Sequence, residues 1–185
     1  MGRTRQPPLR LEAADRLRFC SLWNVPQDIS SVRWEQLTTL ALYNEAPTNA
    51  ASILPLAANL RCCALLFSAN SSHDGIAIRH PRIETLVLLH YGERDLDALT
   101  LPALRHLELS GFSFPSNTAD SLSAFVARSR CRLRHLRLVC NDAVPRLVVD
   151  TCRRAVPHTS VLTVRREDHR QDEDGWNTEE YWTVR

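Results

Sequence analysis

The feature that most constrains this chain is a short apolar phrase written more than once. LPALRHLELSGF (101–112) sets Leu104, Leu107 and Leu109 in the spacing L-x-x-L-x-L, and CRLRHLRLVCN (131–141) sets Leu133, Leu136 and Leu138 in the same spacing. With identity relaxed, the triplet recurs as Leu17-Cys20-Leu22, Leu37-Leu40-Leu42, Leu60-Cys63-Leu65 and Ile83-Leu86-Leu88. First anchors of the six units lie 20, 23, 23, 21 and 29 residues apart, and a degraded seventh copy, Thr159-Leu162-Val164, follows 26 residues later.

A fixed period of 20–29 residues is the signature of leucine-rich repeats. The second and third anchors are two apart, so they share one face of a short strand. One strand cannot bury that face alone, but parallel stacking of successive units joins the anchors into a continuous column. The expected fold is therefore α/β: a leucine-rich repeat solenoid with parallel strands on the concave side and short helices and irregular crossovers on the convex side. Cys20 and Cys63 occupy middle anchors, where a thiol packs as a small apolar group. The crossover TNAASILPLAANL (48–60) opens with Thr48 or Asn49 as N-cap and contains Pro55, which shortens any helix there. SNTADSLSAFVARSR (116–130) carries Leu122, Phe125 and Val126 on one helical stripe. PRLVVDTCRRAV (145–156) starts with Pro145 at a first helical position and offers Leu147, Val148, Thr151 and Cys152 as its buried face. Segments 24–34 and 91–101 suit extended or 3₁₀ crossovers. The turn position after each third anchor holds Val25, Glu45, Ser68, Tyr91, Phe112 and Asn141. Only Asn141 fits the Asn or Cys of a regular turn ladder, with Asn24 and Asn44 one residue early. The expected organisation is a disordered tail over 1–14, a repeat domain of about six units over 15–165, and a charged cap or tail over 166–185.

Composition narrows the function classes. The net charge of +2 is too small to imply a polyanionic partner. All 23 basic residues are Arg, which reads as codon bias of a GC-rich genome or as avoidance of ubiquitin acceptors. No run approaches the length of about 18 apolar residues that spans a membrane, and the N-terminus has no apolar core of a secretory signal. The six cysteines form no C-x-x-C and keep no paired-His company, so reduced thiols in a cytoplasmic or nuclear protein are expected, without a metal or other cofactor. Neither a G-x-S-x-G, a P-loop, an H-E-x-x-H nor a G-x-G-x-x-G is present, so an enzyme is not expected.

Residues flanking the middle anchors point away from the core. They form the rows Phe19, Ser21, Trp23; Thr39, Ala41, Tyr43; Cys62, Ala64, Leu66; Thr85, Val87, Leu89; His106, Glu108, Ser110; and His135, Arg137, Val139. The first four rows are apolar and the last two charged. Exposed apolar patches and Trp, Tyr and Arg anchors mark interfaces, so the expected partner-binding residues are Phe19, Trp23, Tyr43, Leu66, Val87, Leu89, His106, Glu108, His135 and Arg137. The competing reading is that they touch neighbouring units. His106 and His135 fall side by side, which suits a metal or pH switch, or two solvated surface histidines. RSRCRLRHLR (128–137) is arginine-rich, but it crosses a helix end, a turn and a strand with no aromatic residue interleaved, so nucleic acid is not the expected partner.

In their order, VRWEQLTTLALYNE, ANLRCCALLFS, IETLVLLHYG, LPALRHLELSGFSF and SLSAFVARSRCRLRHLRLVC resemble the leucine-rich region of the large F-box protein group of mushroom-forming fungi, over roughly residues 15–165. The resemblance implies a protein–protein interaction module: the substrate-recognition part of an F-box-type ubiquitin ligase component. Such proteins dock on the ligase adaptor through an F-box that opens with Leu-Pro-x-Glu. PPLRLEAADRL is not such an opening, so adaptor docking is not carried over. The alternative is a stand-alone leucine-rich repeat scaffold unrelated to ubiquitin, or a truncated gene fragment without independent function.

Overall fold

A computed structural model describes residues 17–25, 32–68, 75–141 and 143–165. The expected disordered tail over 1–14 and charged cap or tail over 166–185 lie outside these residues.

The chain is α/β, built on one seven-stranded parallel sheet. Its strands are β1 (Phe19–Trp23), β2 (Thr39–Glu45), β3 (Cys62–Phe67), β5 (Thr85–Leu89), β7 (His106–Gly111), β8 (His135–Cys140) and β9 (Ser160–Arg165). They lie side by side in chain order. Two short strands in the crossovers, β4 (Ile78–Arg79) and β6 (Leu99–Thr100), pair with each other in parallel as a second small sheet. The helices are α1 (Pro47–Ile53), α2 (Thr118–Ser129) and α3 (Arg146–Ala155), with 3₁₀ turns at Trp34–Gln36 and Leu54–Leu56.

The register puts the anchors in unbroken files. Cys20, Leu40, Cys63, Leu86, Leu107 and Leu136 are successive partners across the sheet, as are Leu22, Leu42, Leu65, Leu88, Leu109 and Leu138. From β2 onward every one of these side chains is buried, most of them completely. They form one core with Ala50, Ile53, Leu122, Phe125, Val149 and Cys152 from the helices. The first anchors Leu37, Leu60, Ile83 and Leu104 join the same core. Burying a leucine side chain contributes on the order of 1.5–3 kcal/mol, so the two files and the helix faces behind them dominate the stability of the sheet.

Several local expectations are corrected. The seventh copy is one residue out of step: β9 pairs Leu136 with Val161 and Leu138 with Thr163, so Val161 and Thr163 stand in the anchor files. Leu162 partners Arg137 and is 58% exposed. A one-residue slip moves a side chain to the opposite face of a strand. In α1 neither Thr48 nor Asn49 caps the helix. Ala46 stands at the N-cap with Pro47 at the helix start, where the missing N–H is harmless and φ is already suitable. Pro55 has the expected effect, because α1 stops at Ile53 and tightens into a 3₁₀ turn. Pro145 precedes α3 as its N-cap residue instead of filling its first position. On the expected face of α3, Cys152 is buried and Val148 packs partly against the core, but Leu147 is exposed and Val149 is buried in its stead. α2 matches its expected stripe in Leu122 and Phe125, and ends on Arg130 in the left-handed conformation (φ 51°). Segment 91–101 is a turn-rich crossover closed by β6; of 24–34, residues 26–31 lie outside the described residues, and a 3₁₀ turn begins at Trp34.

Candidate functional site

The face of the sheet turned away from the helices carries the remaining strand residues in three files. Register places Phe19, Thr39, Cys62, Thr85, His106, His135 and Ser160 in the first. The second runs Ser21, Ala41, Ala64, Val87, Glu108, Arg137 and Leu162, and the third joins Trp23, Tyr43 and Leu66 at one end to Leu89, Ser110 and Val139 at the other.

This face is less open than its sequence suggests. Ala41, Tyr43, Ala64, Val87 and Leu89 form a second buried cluster, with Leu66 half-buried against it. Tyr43 is covered in part by Trp23, whose ring stacks on it at 4.9 Å between centroids and 18° between planes. Such stacked aromatic pairs add about 0.5–1.5 kcal/mol beyond area burial. Ala41 and Ala64 offer only methyl groups between larger residues of the same face. Of the expected binding residues, Tyr43, Val87, Leu89 and Glu108 are thus packed in the molecule. Phe19, Trp23, His135 and Arg137 are exposed, and Leu66 and His106 are half-exposed.

Accessible chemistry gathers at two ends of the face. At the β1–β2 end stand Phe19 and Trp23, 39% and 51% exposed. At the β7–β8 end His106 and His135 stack face to face, 4.9 Å apart and 4° from parallel. Next to them Arg137 Nη1 donates to Glu108 Oε2 at 3.1 Å. His106 is held below the usual histidine range, first by burial and then by the neighbouring His135, Arg105 and Arg134, against a smaller opposing effect of Glu84. Two imidazoles in parallel planes send their nitrogen lone pairs alongside each other instead of toward one point. Among the described residues no group of three His, Cys, Asp or Glu converges as metal ligands.

The thiols are free and mostly buried. Burial pushes Cys63 far above the usual thiol range and Cys152 up to about 11. Cys62 is half-buried between Thr39 and Thr85 on the sheet face, and burial raises it too. Thiols so protonated are poor nucleophiles and poor metal ligands.

Structural roles hidden from the sequence lie at the strand ends. Asn24 and His90 follow β1 and β5, and Asn44 is the penultimate residue of β2, with φ of 47°, 51° and 55°, a conformation that asparagine tolerates better than most residues. Asn44 Nδ2 donates to Asn24 Oδ1 at 2.7 Å, so the asparagines judged one residue early do bridge neighbouring turns. Glu45, 2% exposed, accepts from the Val25 N–H and from Asn49 Nδ2. His80, 1% exposed, lies 3.1 Å through Nε2 from the Ala57 carbonyl oxygen, while its Nδ1 accepts from the Arg82 N–H at 3.3 Å. Each joins segments about one repeat apart, a separation no local pattern announces.

No helix among the described residues is long and apolar enough to cross a membrane. No family model, curated protein or solved structure matches the chain.

Proposed function

We propose that the chain is a leucine-rich repeat solenoid acting as a protein–protein interaction module, which holds its partner on the sheet face opposite the helices. One observation carries this reading: the strands succeed each other in chain order with their anchors in two continuous files. Every unit therefore devotes one face to the core and delivers the other to a common surface. Stacked repeats of this kind make extended binding surfaces. Support also comes from the exposed Trp23 and Phe19 at one end of that surface, since rigid aromatics give contact area at low entropic cost.

By resemblance, the partner is a substrate presented to an F-box-type ubiquitin ligase. The other reading, a scaffold unrelated to ubiquitin, keeps the same face and changes only what is delivered to it. Affinity capture with the intact chain and with Phe19→Ser/Trp23→Ser tests the interaction. A protein retained by the first and lost by the second supports the proposal, and identical recoveries from both contradict it. Co-capture of the ligase adaptor separates the two readings.

A further inference from the structure

The residues that immediately precede the strands form a file of their own. Backbone N–H groups link Thr38 to Arg18, Arg61 to Thr38, Glu84 to Arg61, Arg105 to Glu84 and Arg134 to Arg105, at 2.8–2.9 Å. Side-chain charge along this border is uneven. Glu84 pairs back onto Arg61, leaving Arg105 and Arg134 as consecutive exposed cations. Among the described residues no carboxylate lies within ion-pair distance of either. They adjoin the stacked, partly exposed His106 and His135 and stand near enough to lower the first. Arg137, 45% exposed, lies one step further in on the same strand, its charge shared with Glu108.

We infer that this ledge of Arg105, Arg134, His106 and His135 is a docking site for an acidic polypeptide segment. The inference rests on the interaction reading above and names the chemistry of the partner at one end of the face. Neighbouring parallel strands are about 4.8 Å apart, so the Arg105–His106 and Arg134–His135 pairs recur one strand spacing apart along a segment that crosses the strand starts. Guanidinium forks bind carboxylates in two-pronged fashion. The imidazoles supply hydrogen bonds, and His106 adds charge when protonated. Ionisable groups facing the histidines are Arg105 and Arg134 beside them, Glu84 from β5's start, and Glu108 and Arg137 two residues on. Among the described residues only the two carboxylates oppose the positive field, and both are paired. Among the described residues the ledge carries no exposed Phe, Tyr or Trp on which bases would stack, which favours a polypeptide over a nucleic acid.

A labelled oligoglutamate peptide, followed by fluorescence anisotropy against the full chain, tests this. Oligoglutamine of equal length and single-stranded oligothymidylate serve as comparison probes. The expected result is oligoglutamate binding that weakens with salt, tightens as pH falls from 7.5 to 5.5, and drops about tenfold in Arg105→Gln/Arg134→Gln. Arg153→Gln, whose residue pairs with Asp150 elsewhere, leaves binding unchanged. Unaltered thermal midpoints show that each variant folds. Absent oligoglutamate binding, equal binding by the Arg105/Arg134 variant, or tighter binding of oligothymidylate through the same arginines overturns the inference. Capture at Phe19 and Trp23 is read separately, so a failure here leaves the interaction reading standing.

Discussion

Truncating Leu88 gives the sharpest test of how the sheet is built. Leu88 is fully buried, and its partners in the file are Leu65 and Leu109. Leu88→Ala removes three carbons, worth roughly 2.4 kcal/mol of transfer free energy at ~0.8 kcal/mol each. Unlike a surface site, this position is walled by neighbours on both sides, so part of the space stays empty and raises the total to about 3–4 kcal/mol. For a chain of this length, each kcal/mol lowers the thermal midpoint by about 2–4 °C, so the expected drop is about 6–16 °C. Leu162→Ala removes the same three carbons from a side chain 58% exposed, on the opposite face of β9. Its cost is about 1 kcal/mol or less. Both variants are unfolded thermally, followed by far-ultraviolet circular dichroism. Equal losses, or a larger loss at Leu162, would refute the assignment of faces.

Other outcomes follow from single side chains. Glu45→Ala leaves the Val25 N–H and the Asn49 amide without their acceptor, costing about 1–3 kcal/mol, with faster hydrogen exchange at Val25 as the local readout. Burial holds His80 below the ordinary histidine range, the Ala57 carbonyl opposing and Arg82 adding to the shift. The unfolded chain therefore takes up the proton first, so the stability His80 contributes is complete above pH ~6.5 and fades as pH falls through the interval down to its folded value. Denaturant titrations from pH 7.5 to 5 detect this slope, and His80→Gln flattens it more than His106→Gln does if the buried ring is the source. Toward a disulfide reagent at pH 8, half-buried Cys62 reacts ahead of Cys63 and Cys152 among the cysteines of the described residues, and the latter two react only on unfolding.

The core was legible where one residue type recurs at one spacing. Leu40, Leu86 and Leu107 could be placed because strand alternation leaves no other face for them once the units are aligned. The last unit resisted because VLTV offers apolar residues in both phases. There the choice falls to backbone pairing with β8, which brings Val161 inward. In α3, two adjacent valines and a leucine fit more than one helical stripe, and contact with the core selects Val149 and Cys152. The packing of Tyr43, Val87 and Leu89 on the far face was not legible, since periodicity says which way a side chain points and nothing about what closes over it. His80 and Glu45 were missed for the reason that makes them effective: their partners in Ala57 and Val25 lie 23 and 20 residues away. The histidine stack was visible in the repeated Arg-His filler, but its accompaniment by the exposed Arg105 and Arg134 along one border needed the register.

The central claim is that successive apolar triplets lie in register across parallel strands. Methyl-to-methyl nuclear Overhauser effects in a leucine-labelled sample measure that arrangement directly. An unbroken chain of cross-peaks from Leu42 through Leu65, Leu88 and Leu109 to Leu138 is the predicted pattern. Cross-peaks that skip a member of this series, or that join Leu162 to Leu138 and Leu136 in place of Val161, contradict it.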